Sequence, residues 1–362
     1  MEEKINSGRQ KELDLARGFA ILFMVAVHCL ETFADSNTMN ESAYGMVTEF
    51  FGSFTSATVF MILLGVGIIY SKRAEPLPLI KRGAGLFALG YILNLARGFF
   101  PMLLSWKISG SNEWIPYFMT EPFYIDILQF AGIAFVFFGL TKKLRFGPAA
   151  YILSLVLFEV INVLLCRYGV YFDDITDYRN PQFYLAAFTG LIWGSSELSC
   201  FPFLSWIFYP IAGYLFGSCL IKQDERGKKR MYIFLIAASA AVFVLLILLL
   251  RHFGIDYGWN TDAAFYHHLA PGNFVFGSCA FLFISIVFFL GKYMPEILRK
   301  SLSRWSRNVT GMYFIQWVLI GWIAVVTDYN QSGVFITVVL TVIILAASDR
   351  LAIFAVKLKD RH

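Results

Sequence analysis

His28 and Arg17 are the two residues whose types and spacing first suggest chemistry. They stand eleven positions apart in the stretch Lys11 to Cys29, KELDLARGFAILFMVAVHC. At about 100° per residue that separation is three turns plus roughly 20°. On a helix the two side chains therefore share one face, about 16 Å apart along the axis. Asp14 lies one turn before Arg17 and falls near the same stripe, and only apolar residues and Gly18 intervene before His28. An imidazole that titrates near pH 6.5 in water suits general-base work, or direct attack on an electrophile. A guanidinium at the far end of the stripe suits an anionic group. His28 is the one histidine inside an apolar run, since His252, His267 and His268 fall at or beyond run ends and His362 is terminal. An ionisable group at such a depth costs at least a few kcal/mol and marks a functional site. The competing reading is a histidine that ties two helices together.

The elements that must position these residues follow from composition. Of 362 residues, 58% are hydrophobic, 18% aromatic and 15% charged, and Phe alone occurs 38 times. Mean hydropathy is +0.63. A soluble domain averages about 45–50% apolar and about 25% charged residues, so a set of soluble domains is excluded. Runs of about 20 apolar residues suffice to cross a bilayer. They predict ten helical spans, over 15–33, 48–70, 83–105, 123–140, 147–167, 201–221, 231–251, 273–293, 309–327 and 333–353. The runs are continuous rather than alternating, which excludes a β-barrel. The first carries Asp14 and Arg17 and is followed by no cleavage site, so it is read as a span and not a secretion signal. Five scattered cysteines, Cys29, Cys166, Cys200, Cys219 and Cys279, suggest neither a disulfide framework nor a metal site. Nothing suggests nucleic-acid binding. The expected fold is an all-α polytopic integral membrane protein, a single transmembrane domain over 1–362.

With the N-terminus placed in the cytoplasm, every inner connection is basic. Of the 30 Lys and Arg residues only Arg97, Lys107, Arg167, Arg179 and Arg251 face outward, which satisfies the positive-inside rule. An even number of spans returns the C-terminus to the same side. Acidic residues lean the other way, consistent with an anionic ligand inside and an amine-bearing one outside. Further polar residues sit in or near the spans. Asp126 and Gln129 open the fourth span, as acceptor ligands or as a helix cap. Asn94 and Arg97 are one turn apart, with Arg97 expected to pair with Asp126 or Glu121. Glu159 and Asn162 repeat that spacing, as a buried relay or as packing. Gln316 and Trp317 are placed to line a cavity. Trp206 is read as a sugar platform or an interfacial anchor, and His267 and His268 as acceptor contacts or an idle loop pair.

The pattern L-D-x-x-R-G-x-A-I followed by His28 resembles the opening helix of the transmembrane acyltransferase superfamily. That group includes the heparan-α-glucosaminide N-acetyltransferase-like and acyltransferase-3 proteins. Phe60 to Gly65 (FMILLG) is similar to the family's second-helix segment, and Asp126 to Ala134 (DILQFAGIA) to its fourth. Phe201 to Trp206 (FPFLSW) with Gly213 to Gly217 (GYLFG) resembles the signature of the glucosaminide branch, and Arg307 to Tyr313 (RNVTGMY) its late segment. The chain departs from that branch at Ser205, at Gln316-Trp317, and in having no histidine between residues 31 and 48. His28 would then serve as the active-site histidine.

The resemblance implies transfer of an acyl group, in the first instance from acetyl-CoA as co-substrate, with no metal. The acceptor is the amino or hydroxyl group of a sugar or glycan on the outer face, with an amino sugar favoured. Arg17, Arg73, Arg82, Arg304 and Arg307 are candidates for the CoA phosphates. His28 is the candidate catalytic residue, as general base or as a transiently acetylated nucleophile. Asp126, Gln129, Trp206 and Gln316 are candidates for the acceptor. The alternative function is a transporter or flippase for a small molecule or lipid-linked sugar, using the same buried polar groups; the two halves show no matched repeat of the kind transporters carry. Expected partners are acyl-CoA, the acceptor and the lipid bilayer, with a homodimer compatible and no nucleic acid. The expected location is a bacterial inner or plasma membrane.

Overall fold

The computed structural model describes residues 5–172, 178–255, 265–327 and 329–359. Among these the regular structure is helical, with two isolated β-bridges and no strand. In chain order the principal helices are α1 (Lys11–Phe33), α2 (Ala43–Tyr70), α3 (Pro76–Ser109), α4 (Ile127–Lys143), α5 (Pro148–Tyr168), α6 (Phe203–Leu220), α7 (Glu225–Phe253), α8 (Ala270–Tyr293), α9 (Glu296–Arg307), α10 (Val309–Thr327) and α11 (Val334–Leu358). Among the described residues nine are long and apolar enough to cross a membrane, all but α4 and α9. The protein is an all-α, multi-pass integral membrane protein.

The expected span over 123–140 is the one that differs. It forms α4, 17 residues long, or roughly 26 Å against a hydrocarbon core of about 30 Å. Its start is set by Asp126, whose carboxylate accepts the backbone N–H of Ile127 at 2.6 Å, while Gln129 Oε1 accepts the N–H of Asp126 at 3.2 Å. That reciprocal arrangement is a capping box. Its end is set by Arg145 in the left-handed region, φ 57°. The Arg145 and Phe146 N–H groups there donate back to Lys142 and Thr141 carbonyls.

The chain forms two compact units. One comprises Met1–Arg9, Met61–Asn94 and Met119–Ser285. Here α4 packs along the first part of α3, and the second part of α2 packs on α6. The α2–α6 approach depends on Gly65 and Gly213. A Cβ on Gly65 would strike the Pro210 carbonyl, and one on Gly213 the Ile62 carbonyl. Small residues that let backbones touch are the usual means of helix packing where the apolar surroundings give no driving force. Both glycines lie in the segments that carry the family resemblance. At one end of this unit a connection folds over Phe172, Phe183, Ala186 and Leu198 as a small apolar core.

The other unit comprises Gln10–Phe60, Leu95–Phe118 and Ile286–His362. It is built around α1, which touches α9, α10, α11 and a π-helical turn of α2, Gly52–Ser56. A second π-helical turn, Leu95–Phe99, interrupts α3 in the same unit. Such turns carry an extra residue into the helix and recur at functional sites.

Candidate functional site

α1 is unbroken from Lys11 to Phe33, so the helical spacing of Arg17 and His28 is realised. Both side chains are partly exposed, whereas Ile21 and Met24, between them on the same stripe, are buried. The site therefore has two polar ends, each completed by residues about 290 positions later in the chain.

At the first end α9 lies across α1. The crossing is close because residue 18 is glycine: a Cβ there would stand 2.5 Å from the Leu302 carbonyl oxygen. With α9 that near, Ser306 reaches back to α1. Its hydroxyl donates to Asp14 Oδ1 at 2.9 Å and accepts from Arg17 Nη1 at 3.2 Å. Arg17 Nη1 is also 3.7 Å from Asp14 Oδ1. These contacts involve one nitrogen of a guanidinium that carries five N–H donors. Asp14 and Ser306 thus hold the arginine in place.

At the second end α10 presents side chains from two adjacent turns to His28. Gln316 Nε2 lies 3.1 Å from His28 Nδ1. The Trp317 ring stacks on the imidazole, with centroids 4.1 Å apart and planes 29° apart, and Tyr313 meets it edge-on at 6.3 Å. Arg97, in the second π turn, sets its guanidinium 4.7 Å from the centroid of the same Trp317 ring. It is brought there because Gly321 has no side chain to hold off the Arg97 carbonyl. Two buried polar atoms beside the imidazole have no hydrogen-bond partner among the described residues, Trp317 Nε1 and Gln316 Oε1. Buried polar atoms are nearly always satisfied, so an unspent donor and an unspent acceptor flanking a reachable imidazole point to a ligand.

The remaining candidates are placed as follows. Arg304 is taken by Asp349 of α11, with Nε donating to Oδ1 at 2.9 Å and Nη2 to Oδ2 at 2.7 Å. Bidentate pairing of this kind commits the guanidinium, and it raises the Arg304 pKa further. Arg307 is exposed at the end of α9. Arg73 and Arg82 belong to the other unit; both are exposed, and Arg82 lies 4.4 Å over the Phe135 ring. Asp126 and Gln129 form the α4 cap described above, and Gln129 Nε2 donates to the Tyr124 carbonyl at 3.2 Å. Trp206 is fully enclosed, and its indole N–H donates to the Tyr266 carbonyl at 2.9 Å. Its ring is core, which leaves no face for a sugar to stack on. Gln316, by contrast, stands against His28. The contribution of Ser306 had no signal in its neighbourhood of the sequence, because nothing local shows that α9 crosses α1 at Gly18.

Residues 9–252 match a family described as heparan-alpha-glucosaminide N-acetyltransferase, catalytic. The matched stretch holds Asp14, Arg17, His28 and Arg97, while Ser306, Gln316 and Trp317 lie beyond it. No curated protein matches the chain.

Proposed function

The chain belongs to the heparan-alpha-glucosaminide N-acetyltransferase catalytic family, a family of membrane acetyltransferases, and from that membership we propose that it moves an acetyl group from acetyl-CoA to an amino sugar. The observation that carries the proposal is the unspent indole donor Trp317 Nε1, which has no partner among the described residues, beside His28.

CoA is a polyanion with a thin pantetheine arm. Arg17, held by Asp14 and Ser306, receives a phosphate at its end of α1, and exposed Arg307 adds positive charge on the neighbouring helix. The arm runs beside the buried Ile21 and Met24, and the thioester reaches the neighbourhood of His28. There His28 takes a proton from the acceptor amine as its nitrogen attacks the thioester carbonyl. The C–S bond then breaks, and the proton passes from the imidazole to the departing thiolate. Negative charge develops on the carbonyl oxygen in between. The indole N–H of Trp317 is a donor with nothing else to bond, and Arg97 brings a fixed positive charge to the same ring. Donors preset for a developing oxyanion are commonly the largest single contribution to such transfers.

Gln316 bears on which imidazole nitrogen does this work. As placed, its amide donates to Nδ1, so the ring proton sits on Nε2. Turned end for end, its oxygen accepts from Nδ1–H and Nε2 keeps its lone pair for the acceptor. The second arrangement is the one competent as a base. A neutral amide makes the exchange possible without placing an anion next to the ring.

With α4 taken as a tenth, short crossing, the basic connections support a cytoplasmic side for the Arg17 end and both termini, with a bacterial inner or plasma membrane as the setting. The acceptor then arrives from the opposite face. Purified protein given acetyl-CoA should release CoA thiol on addition of glucosamine. Failure to release thiol with any amino sugar or sugar would overturn the reading.

A further inference from the structure

A second cluster of titratable groups lies in the unit that does not contain His28. It joins Glu159 of α5, Tyr209 of α6, and Asn273 and His268 at the start of α8 and in the turn before it. His268 is 4% exposed and Asn273 is fully buried. Asn273 Nδ2 donates a short hydrogen bond to Glu159 Oε1, and the Ala270 N–H also reaches the carboxyl. Glu159 Oε2 is buried with no partner. His268 Nδ1 is 2.5 Å from the Phe265 carbonyl, and its Nε2 is 3.1 Å from Asn273 Oδ1 and 2.8 Å from the Tyr209 hydroxyl.

The donor count in this chain of contacts limits its protonation states. A carbonyl only accepts, so His268 Nδ1 carries a proton. With Asn273 as placed, its Oδ1 is also an acceptor, and His268 Nε2 must then carry a second proton. That makes an imidazolium facing a Glu159 carboxylate through one amide. If Asn273 turns end for end, its Nδ2 donates to a neutral Nε2, and its Oδ1 needs a donor from Glu159. The carboxyl must then be protonated. In each arrangement Glu159, Asn273 and His268 meet one another's donors and acceptors and hold one proton beyond that on Nδ1; the Tyr209 hydroxyl accepts from Nε2–H in the first and turns away from Nε2 in the second. A carboxylate with a neutral imidazole sets Asn273 Oδ1 against Nε2 at 3.1 Å and requires the Tyr209 hydroxyl to fill the Nε2 lone pair, and a carboxylic acid with an imidazolium would leave a buried net charge.

We propose that Glu159, Asn273 and His268 form a proton-holding site in which one proton is shared between carboxyl and imidazole, with the Asn273 amide relaying it. Passage between the two states breaks the Nε2–H bond on His268, forms an O–H bond on Glu159, cancels both charges and reverses the amide. No oxidant, reductant or co-reactant is needed. The titratable groups facing the cluster are Tyr209 from α6, Cys166 from α5 and His267 beside His268. Burial lowers the His268 pKa to about 4, which favours the neutral imidazole. Charge separation inside an apolar span is costly, and the neutral state avoids it. The site stands independently of the transfer reaction assigned to His28.

The test is a count of protons on the two ends in the intact protein. Isotope-labelled glutamate and histidine in lipid nanodiscs report carboxyl protonation by infrared absorption and imidazole protonation by nitrogen NMR. Across about pH 5 to 8, where histidine ordinarily titrates, the sum should stay at one proton, with the protonated-carboxyl band abolished in Glu159→Gln. If that variant fails to insert, Asn273→Leu leaves the carboxyl in place and should shift the band. An ionised Glu159 beside a neutral His268 anywhere in that range overturns the proposal, as does an Asn273→Leu protein whose band is unmoved.

Discussion

The two units each bury an imidazole against an amide, and they do so to opposite ends. His268 is sealed, with Nδ1 committed to a carbonyl and Nε2 to Tyr209 and Asn273. Apart from Glu159 Oε2, the groups around it meet one another's donors and acceptors. His28 is partly exposed, is stacked on Trp317, and sits beside an indole N–H and an amide oxygen that the protein leaves unspent. A buried polar group in lipid must be satisfied by something. Around His268 the protein supplies most of those partners, and around His28 that part falls to a substrate under the proposed function.

The sharpest way to break this comparison is to delete each imidazole. His28→Ala should insert normally and lose acetyl transfer by about 10²–10⁴-fold, the usual contribution of a general base. His268→Ala should instead lower the melting temperature and leave the rate per folded molecule close to wild type. Thiol release, normalised to folded protein by size-exclusion chromatography, distinguishes the two. Equal rate losses would dissolve the contrast.

Trp317→Phe comes next. It keeps the stack on His28 and removes only the N–H. Loss of one preset donor to an oxyanion commonly costs about 10²–10³ in kcat, and KM for either substrate should move little. A kcat unchanged from wild type would show that the indole nitrogen is not aimed at the reacting group.

Arg17→Ala should act on the donor. Loss of a charge-assisted contact is worth about 1.5–3 kcal/mol, or roughly ten- to a hundredfold in KM for acetyl-CoA. A rise in acceptor KM with that for acetyl-CoA unchanged would place Arg17 on the wrong side of the reaction.

The smallest effect concerns pH and the sealed unit. The His268 pKa is lowered by burial from 6.5 to about 4, so the unfolded chain binds its proton more readily than the folded one. Stability from this group is complete above about pH 6.5 and is lost as pH falls toward 4. The shared proton offsets that loss in the wild type. In Glu159→Gln the offset is gone, and melting followed by tryptophan fluorescence should fall more steeply between about pH 6.5 and 4. Parallel pH profiles for the two proteins would count against a shared proton.

Much of this was legible in the sequence where it depended on one helix. The Arg17–His28 stripe needs only helical geometry, and of the ten spans the apolar runs mark, nine form helices long and apolar enough to cross. Contacts made across long separations were not legible. Ser306 reaches α1 only because Gly18 admits α9, and the amphipathic α9 itself read as a basic connection. Asp126 and Gln129 were ambiguous for a physical reason: the spacing that points two side chains at a ligand is also that of a capping box, and in the structure they close the N-terminus of α4. Trp206 shows the same limit, since sequence does not tell an enclosed indole from an exposed one.

The most direct measurement of the central claim uses sealed vesicles of known orientation. Labelled acetyl-CoA is supplied on the side of the Arg17 end, and glucosamine or a glucose control on the other. Transfer through the His28 site predicts label on glucosamine in excess of glucose, across the sealed membrane, and none with His28→Ala. Label that appears only when donor and acceptor share a side, or that persists undiminished in folded His28→Ala protein, would contradict the account.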